Sequence, residues 1–173
     1  MNKIKSEEDC LNFLGITKEN WGHYKTGPIL LKLIEDYDIK SFIEVGSQTG
    51  YLSELIAKTH PNVMVYAVDL CHHRPNLHKE YGNLSQICSD SQEAAAGFGD
   101  ASIDLVYIDA LHTYEAVKGD LAAWHPRCKK IFAGHDYGHL NFKGCTKAID
   151  EFFSENPELS LNLEGYYNWW TAL

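Results

Sequence analysis

After residue 40 the sequence alternates between short apolar runs and segments with helical periodicity. The apolar runs have the length of strands, whereas the segments between them place apolar residues on one face of a helix. Strands that are separated by helices pair in parallel through right-handed crossovers. The predicted strands are residues 42–45, 63–68, 84–88, 103–108 and 130–133. The alternation therefore predicts an α/β fold around a mostly parallel sheet.

The C-terminal end departs from this alternation. Residues 159–163 and 167–173 have the pattern of two strands around Gly165, with no long helix between them. Two such strands form an antiparallel hairpin, which we expect at one edge of the sheet. Together with the parallel strands, the hairpin predicts a Rossmann-like, doubly wound sheet of seven strands. The hairpin is interpreted either as a free edge or as the contact of a homodimer.

The N-terminal segment is helical in pattern. We expect residues 1–40 to form a lid on a core at residues 41–173, with Trp21 and Tyr24 covering the ligand site. No linker divides the chain, and its 173 residues suffice for one domain with its own core. A single domain over the whole sequence is therefore predicted.

The charge and composition of the chain narrow the classes of partner. The formal net charge of -9 at pH 7 argues against nucleic acid as the main partner. No apolar run is long enough to cross a bilayer, and the first residues have no apolar signal core. The five cysteines include no Cys-x-x-Cys pair. We expect a cytoplasmic protein with free thiols that acts on a small molecule.

A buried strand, an acid and a glycine turn follow one another in residues 41–51. Glu44 lies inside the apolar run, where a carboxylate is costly unless hydrogen bonds reach it. Gly46 and Gly50 allow the backbone to approach a ligand closely. A helix that begins near Gly50 would direct backbone N–H groups at that ligand. We interpret this segment, including Ser47, as part of a site for a nucleoside-type cofactor.

Polar residues follow every one of the five parallel strands. They are, in chain order, Gly46-Ser47, Asp69, Ser89-Asp90-Ser91, Asp109 with His112, and His135-Asp136. Ligands of open parallel sheets bind beyond the carboxyl ends of the strands, so these residues are expected to share one site. Asp69 is placed to accept both ribose hydroxyls, although a helix cap is the alternative. Asp90 and Ser91 fit either a purine edge or a helix cap.

Acids and histidines collect at the last two of these strand ends. Asp109, His112, His135 and Asp136 offer the oxygen and nitrogen ligands that divalent metals take. For each residue taken alone, a local hydrogen bond is the alternative interpretation. Because the residues occupy adjacent strand ends, we predict a shared metal or acid/base site.

Together these motifs resemble the class I S-adenosylmethionine-dependent methyltransferases, in particular catechol O-methyltransferase-like members. Residues 44–50 resemble the first motif of the family. Residues 108–115, with Asp120 and Trp124, and residues 133–137 are similar to the subfamily described as methyltransferase domain 24. The resemblance implies S-adenosylmethionine as the cofactor, bound by Glu44, Gly46, Ser47, Gly50, Asp69, Leu70, Asp90 and Ser91. Gln48 replaces the third glycine of the looser consensus, which argues against a nicotinamide site.

The resemblance also implies roles on the acceptor side. In metal-dependent relatives, the acid that ends strand four and two residues that end strand five bind magnesium, and these are Asp109, His135 and Asp136 here. Histidine is a poorer magnesium ligand than the carboxylate of catechol-type relatives. His135 therefore implies a softer metal, a general base or no metal. The candidate catalytic residues are Asp109, His112 and His135.

The predicted function is methyl transfer from S-adenosylmethionine to a small-molecule acceptor, with a hydroxyl as the leading acceptor group. The sulfonium methyl group needs only positioning, whereas the acceptor proton needs a metal or a base such as His112 or His135. Two alternatives stay open. A metal-dependent hydrolase would use the Asp/His cluster but leave Glu44 and Asp69 without a role. A binding module of the same fold would hold the cofactor without turnover.

Overall fold

The computed structural model describes residues 4–21, 25–71 and 73–173. Six α-helices are present among them: α1 (Glu7–Leu14), α2 (Gly27–Asp36), α3 (Tyr51–Thr59), α4 (Ser91–Ala95), α5 (Tyr114–Trp124) and α6 (Lys143–Glu155). The seven strands are β1 (Ser41–Val45), β2 (Met64–Asp69), β3 (Leu84–Cys88), β4 (Ile103–Ile108), β5 (Cys128–Gly134), β6 (Asn162–Glu164) and β7 (Asn168–Ala172). None of the described helices is long and apolar enough to cross a membrane.

All seven strands form one sheet in the order β3-β2-β1-β4-β5-β7-β6. Strands β1 to β5 pair in parallel, whereas β7 runs antiparallel to both β5 and β6. The direction in which strands are added reverses between β1 and β4, which is where open α/β sheets bind ligands. The predicted doubly wound sheet with a C-terminal edge hairpin is confirmed.

Several strand boundaries differ from the expectation by one or two residues, and the start of the hairpin differs most. The first strand of the hairpin starts at Asn162, and the residues before it form a turn in which the N–H of Leu159 donates to the carbonyl of Asn156. The apolar residues of that turn had suggested a strand from residue 159. A local hydrogen bond of this kind removes a donor that a strand ladder would use.

Helices cover both faces of the sheet, and two apolar clusters lie between the layers. One cluster joins the sheet to α1, α2 and α3, and the other joins it to α4, α5 and α6. Alternate side chains of β1 enter different clusters, with Phe42 in the first and Ile43 and Val45 in the second. This alternation directs Glu44 to the α3 side, and its surroundings there decide what its carboxylate can do.

Candidate active site

A cavity of about 420 Å³ lies at the carboxyl ends of the parallel strands. Its size suits a small organic ligand. Most of the residues that the sequence proposed for the site line it: Glu44, Gly46, Ser47, Asp69, Leu70, Asp90, Ser91, Asp109 and His112. Gly50, His135 and Asp136 are not among the described residues of its wall. The N-terminal segment contributes Asn20 and Trp21 to the wall, while Tyr24 lies outside the described residues.

Glu44 is fixed at the cavity wall by the first turns of α3. The carboxylate is 6% exposed, and its Oε2 accepts hydrogen bonds from Ser53, at 3.1 Å from the backbone nitrogen and 2.5 Å from Oγ. These bonds offset the cost of burying an acid inside a strand. Glu44 therefore has a defined orientation before any ligand binds.

The two glycines of the turn make room for protein atoms. Gly46 has φ 94°, and a Cβ at this position would collide with the carbonyl oxygen of Asp109. Gly50 has φ 73°, and a Cβ there would lie 2.9 Å from Cδ2 of Leu77. The sequence had suggested a close approach of the backbone to a ligand. What the structure shows is that Gly46 lets the ends of β1 and β4 come together, which joins the two halves of the cavity.

Asp69 at the end of β2 connects the glycine turn to the following loop. Its Oδ2 accepts the N–H of Gln48 at 2.8 Å, and its Oδ1 accepts the N–H of Cys71 at 2.9 Å. Each carboxylate oxygen can accept more than one hydrogen bond, so both oxygens retain capacity for a ligand. Asp69 is therefore positioned by backbone groups on both sides while it lines the cavity.

Asp90 and Ser91 make local bonds at the start of α4. Oδ1 of Asp90 caps the helix by accepting the N–H groups of Gln92 and Glu93 at 2.9 and 3.3 Å. The Ser91 hydroxyl donates to Oδ1 of Asp120 at 2.6 Å and accepts the indole N–H of Trp124 at 3.0 Å. The helix-cap interpretation of Asp90 is thus part of the structure, and the Ser91 hydroxyl hydrogen already has an acceptor.

Asp120 also lines this end of the cavity, although the sequence analysis did not propose it as a site residue. It is 3% exposed, and burial raises the pKa of its carboxyl to about 6, against the opposing effect of the Ser91 hydrogen bond. The sequence did contain an indication that Asp120 has a function. Asp120 lies on the apolar stripe of α5 with Val117, Leu121 and Trp124, where an acid is out of place unless it has a function.

Asp109, His112 and Asp136 converge at the other end of the cavity, with one potential ligand atom of each within 4.8 Å of the others. Nε2 of His112 lies 2.9 Å from Oδ2 of Asp136 and 3.5 Å from Oδ1 of Asp109. The neighbouring carboxylates of Asp109 and Asp136 raise the pKa of His112 to about 10. Burial alone would raise the pKa of Asp136, but the bonds from His112 and His135 bring it well below its ordinary value.

His135 stands behind this cluster. Its Nδ1 lies 3.1 Å from Oδ1 of Asp136, and its ring meets Tyr167 edge-on at 6.3 Å. The predicted metal set was Asp109, His135 and Asp136, whereas the described atoms that converge include His112 in place of His135. Asp136 has a φ of 66°, which is uncommon for a residue with a side chain. Of the two histidines that the sequence grouped with these acids, His112 is the one whose ring nitrogen converges with both carboxylates among the described residues.

The ring of His112 is held by aromatic packing. Phe142 stacks on it with a centroid distance of 4.4 Å and an interplanar angle of 19°. His139 stacks on Phe142 at 4.6 Å, and Tyr167 packs edge-on against His139 at 4.7 Å. The plane of the imidazole is therefore set by its neighbours while its Nε2 reaches both carboxylates.

A family model described as a methyltransferase domain, type 24, matches residues 43–137, which is more than half of the chain. The chain belongs to this family. It is an S-adenosylmethionine-dependent methyltransferase, as the motifs had indicated, and the matched range covers the strand ends that form the cavity. No curated protein sequence matches this methyltransferase significantly.

Solved structures similar to this methyltransferase share its fold at low sequence identity. CalS11, a TDP-rhamnose 3'-O-methyltransferase of calicheamicin biosynthesis, is 17% identical with a TM-score of 0.68, covering 99% of this chain and 88% of CalS11. MycE, a mycinamycin-pathway methyltransferase in complex with Mg and SAH, is 14% identical with a TM-score of 0.71, covering 98% of this chain and 54% of MycE. An S-adenosylmethionine-dependent methyltransferase from Aquifex aeolicus is 15% identical with a TM-score of 0.57, covering 82% and 87%.

Proposed function

We propose that this methyltransferase transfers the methyl group of S-adenosylmethionine to a hydroxyl of a small-molecule acceptor. The observation that carries the proposal is the single cavity whose wall contains Glu44 and Asp69 at one end and Asp109 and His112 at the other. One end has the acids expected for a nucleoside and an amino-acid tail. The other has groups that can handle the proton of an acceptor. CalS11, which is described as an O-methyltransferase, has the same fold.

The cofactor end would be formed by the residues that the sequence motifs named: Glu44, Gly46, Ser47, Gly50, Asp69, Leu70, Asp90 and Ser91. Asp69 would accept the ribose hydroxyls, because both of its oxygens lie at the wall with capacity left. Glu44, held by Ser53, would face the ribose or the methionine part. Gly50 would act indirectly, by starting α3 at the correct place.

The N-terminal segment would act as a lid. Trp21 is buried, lines the cavity, and packs at 6.4 Å against the ring of Tyr51 at the start of α3. A lid excludes water from a site where a sulfonium methyl group must meet its acceptor. We therefore extend the proposal to one domain over residues 1–173, in which residues 1–40 cover the core at residues 41–173.

On the acceptor side, Asp109, His112 and Asp136 fit a divalent cation, since two carboxylates and an imidazole converge within 4.8 Å. The mixed oxygen and nitrogen set favours Mn²⁺, Fe²⁺ or Zn²⁺ over Mg²⁺. A bound cation would lower the pKa of an acceptor hydroxyl that it coordinates. His135 would hold Asp136 in position through its bond to Oδ1.

The first experiment is calorimetric titration of the protein with S-adenosylhomocysteine. The wild-type protein is expected to bind, and Asp69→Asn to bind at least ~10-fold more weakly, because an amide cannot accept at both positions. Asp36→Asn, an exposed change on α2, serves as the control and should bind like the wild type. An absence of binding to the wild-type protein would refute the proposal.

The metal is tested separately by titrating Mn²⁺ into the chelator-treated protein and following its paramagnetic resonance. Binding is expected in the wild-type protein and is expected to be at least ~10-fold weaker in Asp136→Asn. Absence of binding would refute the metal site and leave the two carboxylates paired with His112 and, for Asp136, with His135. The hydrolase alternative predicts product formation without the methyl donor, and the family match already argues against it.

A further inference from the structure

The two residues first proposed for the purine edge are partly committed to bonds within the protein. Asp90 is exposed, and its Oδ1 caps α4 through two backbone N–H groups. The hydroxyl hydrogen of Ser91 lies on the bond to Asp120. Recognition of a base in a closed pocket needs buried groups whose capacity is not already used. Among the described wall residues that contact α4, Asp120 is such a buried group.

The direction of the hydrogen bonds that link Trp124, Ser91 and Asp120 is fixed by Trp124. An indole N–H can only donate, so Ser91 Oγ accepts from Trp124 at 3.0 Å. The serine hydrogen then goes to Oδ1 of Asp120 at 2.6 Å, and Asp120 is obliged to accept. Both ends of the chain are buried, with Trp124 at 0% and Asp120 at 3% exposure. The carboxylate is therefore locked in orientation, with Oδ1 bonded to Ser91.

Asp120 lacks the partners that a buried acid needs. Among the residues that the structure describes, Ser91 is its one hydrogen-bond donor. The influences on its pKa are burial, the Ser91 bond and repulsion from Asp90, with no cation among them. A buried carboxylate with a single neutral donor leaves acceptor capacity unfilled, which is unfavourable until a donor arrives. Because Asp120 lines the cavity, that donor can be supplied by the ligand.

The position of Asp120 along α5 corresponds to where the base of a bound nucleoside would lie. The helix begins at Tyr114, two residues after His112 at the acceptor end, and Asp120 lies about 9 Å farther along its axis. The ribose acid Asp69 and the α4 residue Ser91 belong to the same wall. The purine end of a cofactor whose methyl group points towards His112 would thus face Asp120.

We propose that Asp120 accepts a hydrogen bond from the 6-amino group of adenine and is the residue that selects an adenosyl cofactor. The proposal rests on the proposed function, because it requires the cavity to bind the cofactor. The 6-amino group is the hydrogen-bond donor of the adenine edge, while the ring nitrogens accept. A 6-oxo purine presents an acceptor at that position, so a carboxylate would repel it. Polar mismatches of this kind give large discrimination when the site is buried.

The test compares S-adenosylhomocysteine with S-inosylhomocysteine, which differ at the 6-position of the purine and at the neighbouring ring nitrogen. Calorimetric titration of the wild-type protein should show at least ~30-fold tighter binding of the adenosyl ligand. Asp120→Asn keeps the shape of the side chain and an acceptor for Ser91, and it adds an amide donor that suits the 6-oxo group. Its preference for the adenosyl ligand should fall by at least ~10-fold.

Asp90→Asn is the matched comparison, since it removes the other acid at this end of the cavity. It should leave the ratio of the two affinities unchanged, even if it weakens the binding of both ligands. The inference is overturned if Asp120→Asn keeps the wild-type ratio or if Asp90→Asn removes it. Equal binding of the two ligands to the wild-type protein also overturns it, and this comparison does not depend on a variant that folds. Failure of the wild-type protein to bind either ligand would refute the proposed function itself.

Discussion

The two ends of the cavity are built in different ways. At the cofactor end, each acid is fixed by hydrogen-bond donors of the protein: Glu44 by Ser53, Asp69 by Gln48 and Cys71, and Asp90 by the start of α4. At the acceptor end, Asp109, His112 and Asp136 are held mainly by one another and by their opposite charges. The first end is set mainly by backbone N–H donors, with the Ser53 hydroxyl as a side-chain donor to Glu44, whereas the second depends on charge balance. Changes at the two ends should therefore have different consequences, in stability and cofactor affinity at one and in chemistry at the other.

The largest effect is expected where the two ends meet. Gly46→Ala places a methyl group against the carbonyl of Asp109 at a φ that side chains rarely adopt, so the free energy of unfolding should fall by about 4 kcal/mol. Gly138→Ala is the control, because Gly138 has φ 80° but open space around it, and it should lose about 1 kcal/mol. Urea unfolding measures both. Equal losses would show that the contact between the ends of β1 and β4 is unimportant.

The next effect separates chemistry from cofactor binding. Asp136→Asn leaves His112 with one carboxylate partner and should lower the rate of methyl transfer by ~100-fold. Affinity for S-adenosylhomocysteine should change by less than ~3-fold, because Asp136 is not among the described cavity-wall residues. Enzyme kinetics and calorimetry on the same preparation test this. A matching loss of cofactor affinity would mean that the two ends are not independent.

The third effect concerns the pH dependence of stability at the cofactor end. Burial raises the pKa of Asp120 to about 6 from 3.8, so the folded protein keeps a proton that the unfolded chain has released. The stabilisation is complete below about pH 4 and is lost as the pH rises past about 6. The wild type should therefore lose stability relative to Asp120→Asn as the pH rises. Between pH 4 and pH 7 the difference between their unfolding free energies should shift by up to about 3 kcal/mol in favour of the variant. A difference that is constant with pH would contradict the raised pKa.

The smallest effect tests how Glu44 is held in position. Ser53→Ala removes the hydroxyl donor but keeps the backbone donor, so we expect a loss of about 1–2 kcal/mol in unfolding free energy. The same change at exposed Ser160 should alter stability by less than about 0.5 kcal/mol. Thermal and chemical unfolding provide the comparison. If the two serine variants behave alike, Glu44 does not depend on α3 for its position.

Sequence patterns predicted the strands and their polar ends well because both are local properties. The β3 and β4 ranges agree with the expectation, and the parallel strands bring five polar ends to one edge whatever the loops do. The sequence placed both His112 and His135 in the acidic cluster, but which of them converges with Asp109 and Asp136 depends on three-dimensional positions that the sequence does not show. Asp120 was noted as part of a motif but not assigned to the site, because its position depends on contact with Ser91 between two helices, which the sequence does not show.

The most direct test of the account is calorimetric titration of S-adenosylhomocysteine into three proteins: the wild type, Asp69→Asn at the cofactor end and Asp136→Asn at the acceptor end. The account predicts that the wild type and Asp136→Asn bind with affinities within ~3-fold of each other, while Asp69→Asn binds at least ~10-fold more weakly. Equal affinity in all three proteins, or no binding in any of them, would contradict it.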